Sequence, residues 1–185
     1  MITPINIFAL LLAYLIGSIP SAVWIGKFFY GIDIREYGSG NSGATNAFRV
    51  LGKRAGVPVM LLDILKGWGA VNLAYLILDA QETRMQFVNL QLALAVVVLM
   101  GHIFPLFASF RGGKGIATLF GIVLALHPPA ALVAAGVFVS VLLVTHYVSL
   151  SSMLGTFSFP LSVTFIFPTQ TTSLILFAMF STVLV

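Results

Sequence analysis

Residues 2–29, ITPINIFALLLAYLIGSIPSAVWIGKFF, hold a single charge, Lys27, in 28 positions. An α-helix needs about 20 apolar residues to cross a bilayer, so this stretch is the first membrane segment of the chain. Gly17, Ser18, Pro20 and Ser21 in its second half fit close helix packing and a mild kink. The whole chain reads the same way. Of its 185 residues 59% are hydrophobic and 8% charged, and the mean hydropathy is +1.09. A soluble domain carries about 25% charged residues. An all-α integral membrane protein of one domain, residues 1–185, follows. There is no cysteine, which excludes disulfides and thiol chemistry. A net charge of +4 scattered through apolar sequence does not suit nucleic acid; it suits loops facing anionic lipid. No cleavable leader is evident, because the first apolar run lacks a basic start and ends in a lysine.

Further apolar segments lie at 55–78, 87–110, 116–126, 130–145, 148–167 and 170–185, giving seven in all. The fourth is short, and it is expected either to start near Gly112 and tilt within the protein or to be re-entrant. A short polar loop over 79–86 holds Asp79, Glu82 and Arg84. His127 and His146 sit at helix ends and are assigned no chemistry. If the polar segment 30–54 is cytoplasmic, that side holds Lys27, Arg35, Arg49, Lys53, Arg54, Arg111 and Lys114, the other side only Arg84, and Lys66 lies within a span. Positive charge collects on the cytoplasmic side, so the N-terminus is expected outside and the polar loops inside.

Two polar stretches interrupt the apolar chain. One is Gly38-Ser39-Gly40-Asn41-Ser42-Gly43-Ala44-Thr45-Asn46, closed by Arg49; the other is Arg111-Gly112-Gly113-Lys114-Gly115. Backbone N–H groups beside a guanidinium or ammonium can surround a phosphate at close range. A short helix from Thr45 to Leu51 would add the positive end of its dipole. Asp63 and Lys66 are three residues apart on one helix face and can pair; ionisable groups at membrane depth are functional candidates, and a structural pair is the alternative. His102 precedes Pro105, which should distort the third helix just before the second polar stretch.

Several chemistries are excluded. A phosphate-binding loop of the G-x-x-x-x-G-K-[ST] type fails, since position 108 is alanine and Lys114 is followed by Gly115. No βαβ unit, no Gly-x-Ser-x-Gly elbow and no His followed five residues later by Asp is present. Three scattered histidines and few acids argue against a metal, and no cofactor is expected. What remains suits an enzyme that joins a phosphorylated water-soluble molecule to a lipid-like one.

The pattern Gly38-Ser39-Gly40-Asn41-x-Gly43-Ala44-Thr45-Asn46-x-x-Arg49, then Asp63-x-x-Lys66-Gly67, then Gly101-His102-x-Phe104-Pro105-x-Phe107-x-x-Phe110-x-Gly112-Gly113-Lys114-Gly115-x-Ala117-Thr118, resembles the PlsY family of bacterial acyl-phosphate:glycerol-3-phosphate acyltransferases. The resemblance implies a multi-pass protein of the bacterial inner membrane with about seven transmembrane helices. It also implies a reaction: a fatty acyl group passes from acyl-phosphate to the 1-hydroxyl of glycerol-3-phosphate, giving lysophosphatidic acid and inorganic phosphate for phospholipid synthesis. Its partners would be the two substrates, membrane lipid and an acyl-phosphate synthase.

Roles follow by resemblance. Arg49 and Lys114 match positions that bind substrate phosphate, and Ser39 would position glycerol-3-phosphate. Gly38, Gly40, Asn41, Gly43, Thr45, Asn46 and Arg111 complete the phosphate-binding set, and the N–H groups of Gly112, Gly113 and Gly115 would hold the acyl-phosphate. The general base is either His102 or a phosphate oxygen of a substrate. Asp63 and Lys66 would brace the loops. The family carries a further motif with His and Asn after its last helix, whereas this sequence stops at Val185, 16 residues after Gln170, and is expected to be truncated there or to be a natural variant lacking it. Two other readings are an anion or phospho-metabolite transporter, against which the absence of an inverted repeat counts, and an inactive truncated scaffold.

Overall fold

The computed structural model describes residues 3–77, 83–169 and 171–183. The expectations that fall on Asp79, Glu82, Gln170 and Val185 lie outside the described residues. Ten α-helices follow in chain order: α1 Pro4–Gly17, α2 Ser21–Tyr30, α3 Ala44–Val50, α4 Lys53–Asn72, α5 Ala74–Ile77, α6 Arg84–Ile103, α7 Ile116–Leu126, α8 Pro128–Thr145, α9 Val148–Leu161 and α10 Thr172–Val183. The described residues hold no strand.

The first segment is not one gently kinked helix. It breaks at Ser18–Pro20, and α2 leaves α1 at 41°. Pro20 has no N–H to extend the α1 ladder, which explains the break. Gly31 at φ 66 closes α2 in the left-handed conformation that glycine adopts without strain. A capping box of Thr83 with Gln86 starts α6, and His127 Nδ1 caps α8 by accepting from the Ala130 N–H. His146 ends α8 in the left-handed region, so both histidines sit at helix ends.

Within the described residues all seven apolar segments are helical. Four helical stretches are long and apolar enough to cross a membrane, five if α1 and α2 form one bent span. Helices α7 and α10, with 11 and 12 residues, are shorter than a crossing. Of the two alternatives for the fourth segment, a start at Gly112 is not observed: α7 begins at Ile116, after Gly115 at φ 79. It lies against α4, with Thr118, Leu119, Gly121, Ile122 and Val123 buried.

Glycines set how closely the helices pack. A Cβ on Gly17 would overlap the Val98 carbonyl and one on Gly101 the Tyr14 carbonyl, so α1 and α6 meet backbone to backbone. Gly67 and Gly121 do the same for α4 and α7 against the carbonyls of Thr118 and Ile64. Around these contacts Val71, Leu94, Val98, Ile122, Phe159 and Val163 form the buried core. Leu132, Val139, Leu143 and Val144 of α8 are exposed, the composition of a surface that faces hydrocarbon.

Candidate active site

The first polar stretch is built around one side chain. Asn46, in the first turn of α3, is 2% exposed. Its Nδ2 donates to the carbonyls of Ile34 at 3.1 Å, Tyr37 at 3.1 Å and Asn41 at 2.9 Å, and its Oδ1 accepts from the Ser39 N–H at 3.0 Å. Asn46, expected to contact phosphate, thus holds the loop's own backbone. Gly38, at φ 64, lies so close to Asn46 Oδ1 and Val50 that a Cβ would collide with both. Asn41 Oδ1 accepts from the Gly43 N–H at 3.1 Å, which turns the chain into α3. The short helix expected from Thr45 to Leu51 is α3, one residue earlier. Ser39, Thr45 and Arg49 are exposed around this frame.

The second stretch folds back on the end of α6. The C-terminal carbonyls of a helix have no partner within it, and here those of His102, Ile103 and Phe104 find one. The Gly112 N–H donates to the Ile103 carbonyl at 3.1 Å and the Gly113 N–H to that of His102 at 3.3 Å. The Tyr14 hydroxyl donates to the Phe104 carbonyl at 2.9 Å. The Gly112 and Gly113 amides, expected to hold acyl-phosphate, are thus bonded within the chain, where these two glycines terminate a helix. Gly115 and the first turn of α7 present the N–H groups that no helix carbonyl accepts, a disposition that favours an anion. Arg111 and Lys114 flank them and are exposed. Ser109 and Phe110 adopt left-handed backbone at φ 54 and 59, a strained conformation for phenylalanine.

The two stretches touch. A Cβ on Gly113 would sit 3.3 Å from Gly43 Cα, and it would overlap His102 Nε2. His102 is 5% exposed and lies beneath Gly113; its Nδ1 is 3.0 Å from Thr118 Oγ1, and its Nε2 has no partner among the described residues. Asp63 Oδ1 is 3.9 Å from His102 Nδ1. The expected pair is formed, with Lys66 Nζ 2.8 Å from Asp63 Oδ1. The pair braces something other than the loops: Lys66 donates to the Ile19 carbonyl at 3.0 Å, and Asp63 accepts from the Ser21 hydroxyl at 3.0 Å. It anchors the break between α1 and α2.

Arg35 had been counted only as a loop charge, and its role had no signal in the sequence. Its Nε and Nη2 bind both oxygens of Asp33, at 2.9 and 2.7 Å, and its Nη1 donates to the Ala108 carbonyl at 2.8 Å. One guanidinium thereby ties the first polar stretch to the turn preceding the second. The hydrogen bond from Arg35 holds the Asp33 carboxyl well below the usual carboxylate range, and Lys27 at 3.1 Å adds to this.

Known proteins resemble this chain in sequence and in fold. A family model described as glycerol-3-phosphate acyltransferase matches residues 7–185. The chain belongs to the glycerol-3-phosphate acyltransferase family. It is 50% identical to the glycerol-3-phosphate acyltransferase of Enterococcus faecalis over 86% of this chain and 74% of that one. It is 52% identical to glycerol-3-phosphate acyltransferase 2 of Bacillus anthracis over 81% of this chain and 75% of the other. The crystal structure of PlsY, an integral membrane glycerol 3-phosphate acyltransferase, in its glycerol 3-phosphate form superposes with a TM-score of 0.84 at 35% identity, covering 97% of this chain and 85% of that one. A second form of the same enzyme, with lysophosphatidic acid, gives a TM-score of 0.82. This glycerol-3-phosphate acyltransferase family member is a membrane protein, as its apolar helices and its integral membrane relatives require.

Proposed function

We propose that the chain transfers a fatty acyl group from an acyl-phosphate to the 1-hydroxyl of glycerol-3-phosphate, releasing lysophosphatidic acid and inorganic phosphate. The observation that carries this reading is the contact of Gly43 with Gly113. It joins two stretches whose exposed side chains are Ser39, Thr45, Arg49, Arg111 and Lys114. Two phosphorylated substrates need cations next to each other, and the exposed cations of the two stretches beside the first turn of α7 support this reading. Arg49 and Lys114 neutralise the substrate phosphates, and Ser39 positions glycerol-3-phosphate. The Gly115 N–H and the first turn of α7 face the charge on the donor. The hydroxyl oxygen attacks the acyl carbon, the bond from that carbon to the phosphate oxygen breaks, and phosphate leaves with the electron pair. Phosphate is a good leaving group, so positioning and charge neutralisation supply most of the rate. His102 is buried behind Gly113, which favours a phosphate oxygen of a substrate as the acceptor of the hydroxyl proton.

In this reading the chain crosses the bacterial cytoplasmic membrane seven times, with the N-terminus outside. α7 and α10, shorter than a crossing, are accommodated by local thinning of the bilayer. Seven of the nine lysines and arginines then face the cytoplasm, where an enzyme that forms acyl-phosphate supplies the donor.

Purified protein in detergent, given palmitoyl-phosphate and glycerol-3-phosphate, is expected to release phosphate only when both are present. Arg49→Ala and Lys114→Ala should each abolish the release. Release from palmitoyl-phosphate alone, or full release in both variants, would refute the assignment. Glycerol-3-phosphate uptake that needs sealed vesicles and consumes no donor would favour transport instead.

A further inference from the structure

Thr118 lies in the first turn of α7, is fully buried, and has no place in the reaction above. Its hydroxyl is 3.0 Å from His102 Nδ1. The opposite edge of the same ring, Nε2, lies against Gly113, at the position where a side chain on Gly113 would begin. Gly113 in turn lies against Gly43. The imidazole is therefore a spacer: α7 holds one edge, and the other edge sets how far the second polar stretch stands from the first. At the same edge, Asp63 Oδ1 is 3.9 Å from Nδ1 and is itself held by Ser21 and Lys66. The Thr118 hydroxyl is the nearer of the two groups and the one at hydrogen-bonding distance from the ring.

We propose that Thr118 is a positioning residue that acts through His102. Its hydroxyl fixes the ring orientation, and the ring holds Gly113 against Gly43, so that both phosphate-binding stretches stay in register. The step from register to catalysis rests on the acyltransfer reading; the step from hydroxyl to register does not. Thr118→Val keeps the shape of the side chain and removes the hydroxyl, leaving Nδ1 unpaired and the ring able to turn away from Gly113.

Two readouts test this. The first is hydrogen–deuterium exchange, without substrate, of a peptide containing the Gly112 and Gly113 amides. In Thr118→Val these amides should exchange about tenfold faster, the equivalent of one lost buried hydrogen bond, with no change in peptides from α8. Thr118→Ser should behave as wild type. The second is kinetics, in which Thr118→Val should raise KM for glycerol-3-phosphate about tenfold with a smaller change in kcat. In a His102→Ala background, Thr118→Val should add nothing. Should Thr118→Val not fold, Thr118→Ala serves for both readouts, since it removes atoms and adds none. Unchanged exchange at Gly112 and Gly113, acceleration spread equally over α8, or a Thr118→Ser variant as fast as Thr118→Val would each overturn the proposal. If wild-type protein releases no phosphate, the acyltransfer reading falls, while the exchange measurement still decides the role of Thr118.

Discussion

Replacing Lys66 with methionine removes one charge from a pair whose side chains are only 6% and 2% exposed. At 2.8 Å and an effective dielectric constant of about 20, the attraction is about 6 kcal/mol. Desolvation of the two ions offsets most of this, so the pair as a whole adds little compared with apolar residues. Removing one partner is different, because the other charge stays buried; the loss is then about 3–5 kcal/mol. Lys66→Met also removes one of the two donors to the Ile19 carbonyl, which keeps the Ser21 N–H, so this bond adds at most about 1 kcal/mol. Asp63→Asn should be slightly milder, since Ser21 can still donate to the new side chain and Lys66 keeps Ile19. The double variant, which buries no charge, should be more stable than either single one, with a coupling of at least about 2 kcal/mol. Unfolding by sodium dodecyl sulfate in mixed micelles, followed by circular dichroism, measures all three. Single losses under about 1 kcal/mol, or additivity within about 0.5 kcal/mol, would refute the reasoning. Either result would mean that water reaches Asp63.

Asn46→Asp replaces a donor that serves three carbonyls with an acceptor. Proteolysis within residues 37–43 should accelerate, and KM for glycerol-3-phosphate should rise more than tenfold, as expected for several lost buried hydrogen bonds. Gly113→Ala should cost about 1–3 kcal/mol of stability through overpacking, because the new methyl meets His102 and Gly43. The same change at Gly136 in α8, where a Cβ meets nothing within 4 Å, should stabilise by up to about 1 kcal/mol. The pH dependence of the first stretch should follow Asp33. Its carboxyl is depressed below its ordinary 3.8, so its contribution to stability is complete above that pH and is lost as pH falls towards the depressed value. Asp33→Asn should therefore lower the melting temperature at pH 7, and the difference from wild type should shrink steadily below pH 4.

The helical segments and their polar interruptions were legible because hydropathy and length are sufficient signals for them. The break at Pro20 was visible as a kink, but the hydrogen bond from Lys66 of α4 to the Ile19 carbonyl at that break is one that no local pattern encodes. The pairing of Asp63 with Lys66 was legible from their spacing; its anchoring role was not, because Ser21 and Ile19 lie more than forty residues away in sequence. Arg35 shows the same limit. Its partner Asp33 is two residues away and visible, while its contact with the Ala108 carbonyl joins positions 73 residues apart.

The glycines mark a deeper ambiguity. A glycine-rich stretch beside a lysine suits either of two purposes, leaving N–H groups open to a ligand or letting backbone approach backbone, and the sequence of the stretch is the same in both cases. In Gly112 and Gly113 the second purpose prevails, since their amides close the end of α6 and a side chain on either would overlap α6. Gly115, at φ 79, instead opens α7. The end of α6 and the start of α7 are thus served by separate glycines within one run of four residues. The division has a physical benefit for the proposed reaction. Carbonyls at the end of α6 left without donors would present negative charge beside Arg111 and Lys114. By bonding two of them, Gly112 and Gly113 weaken that opposing field.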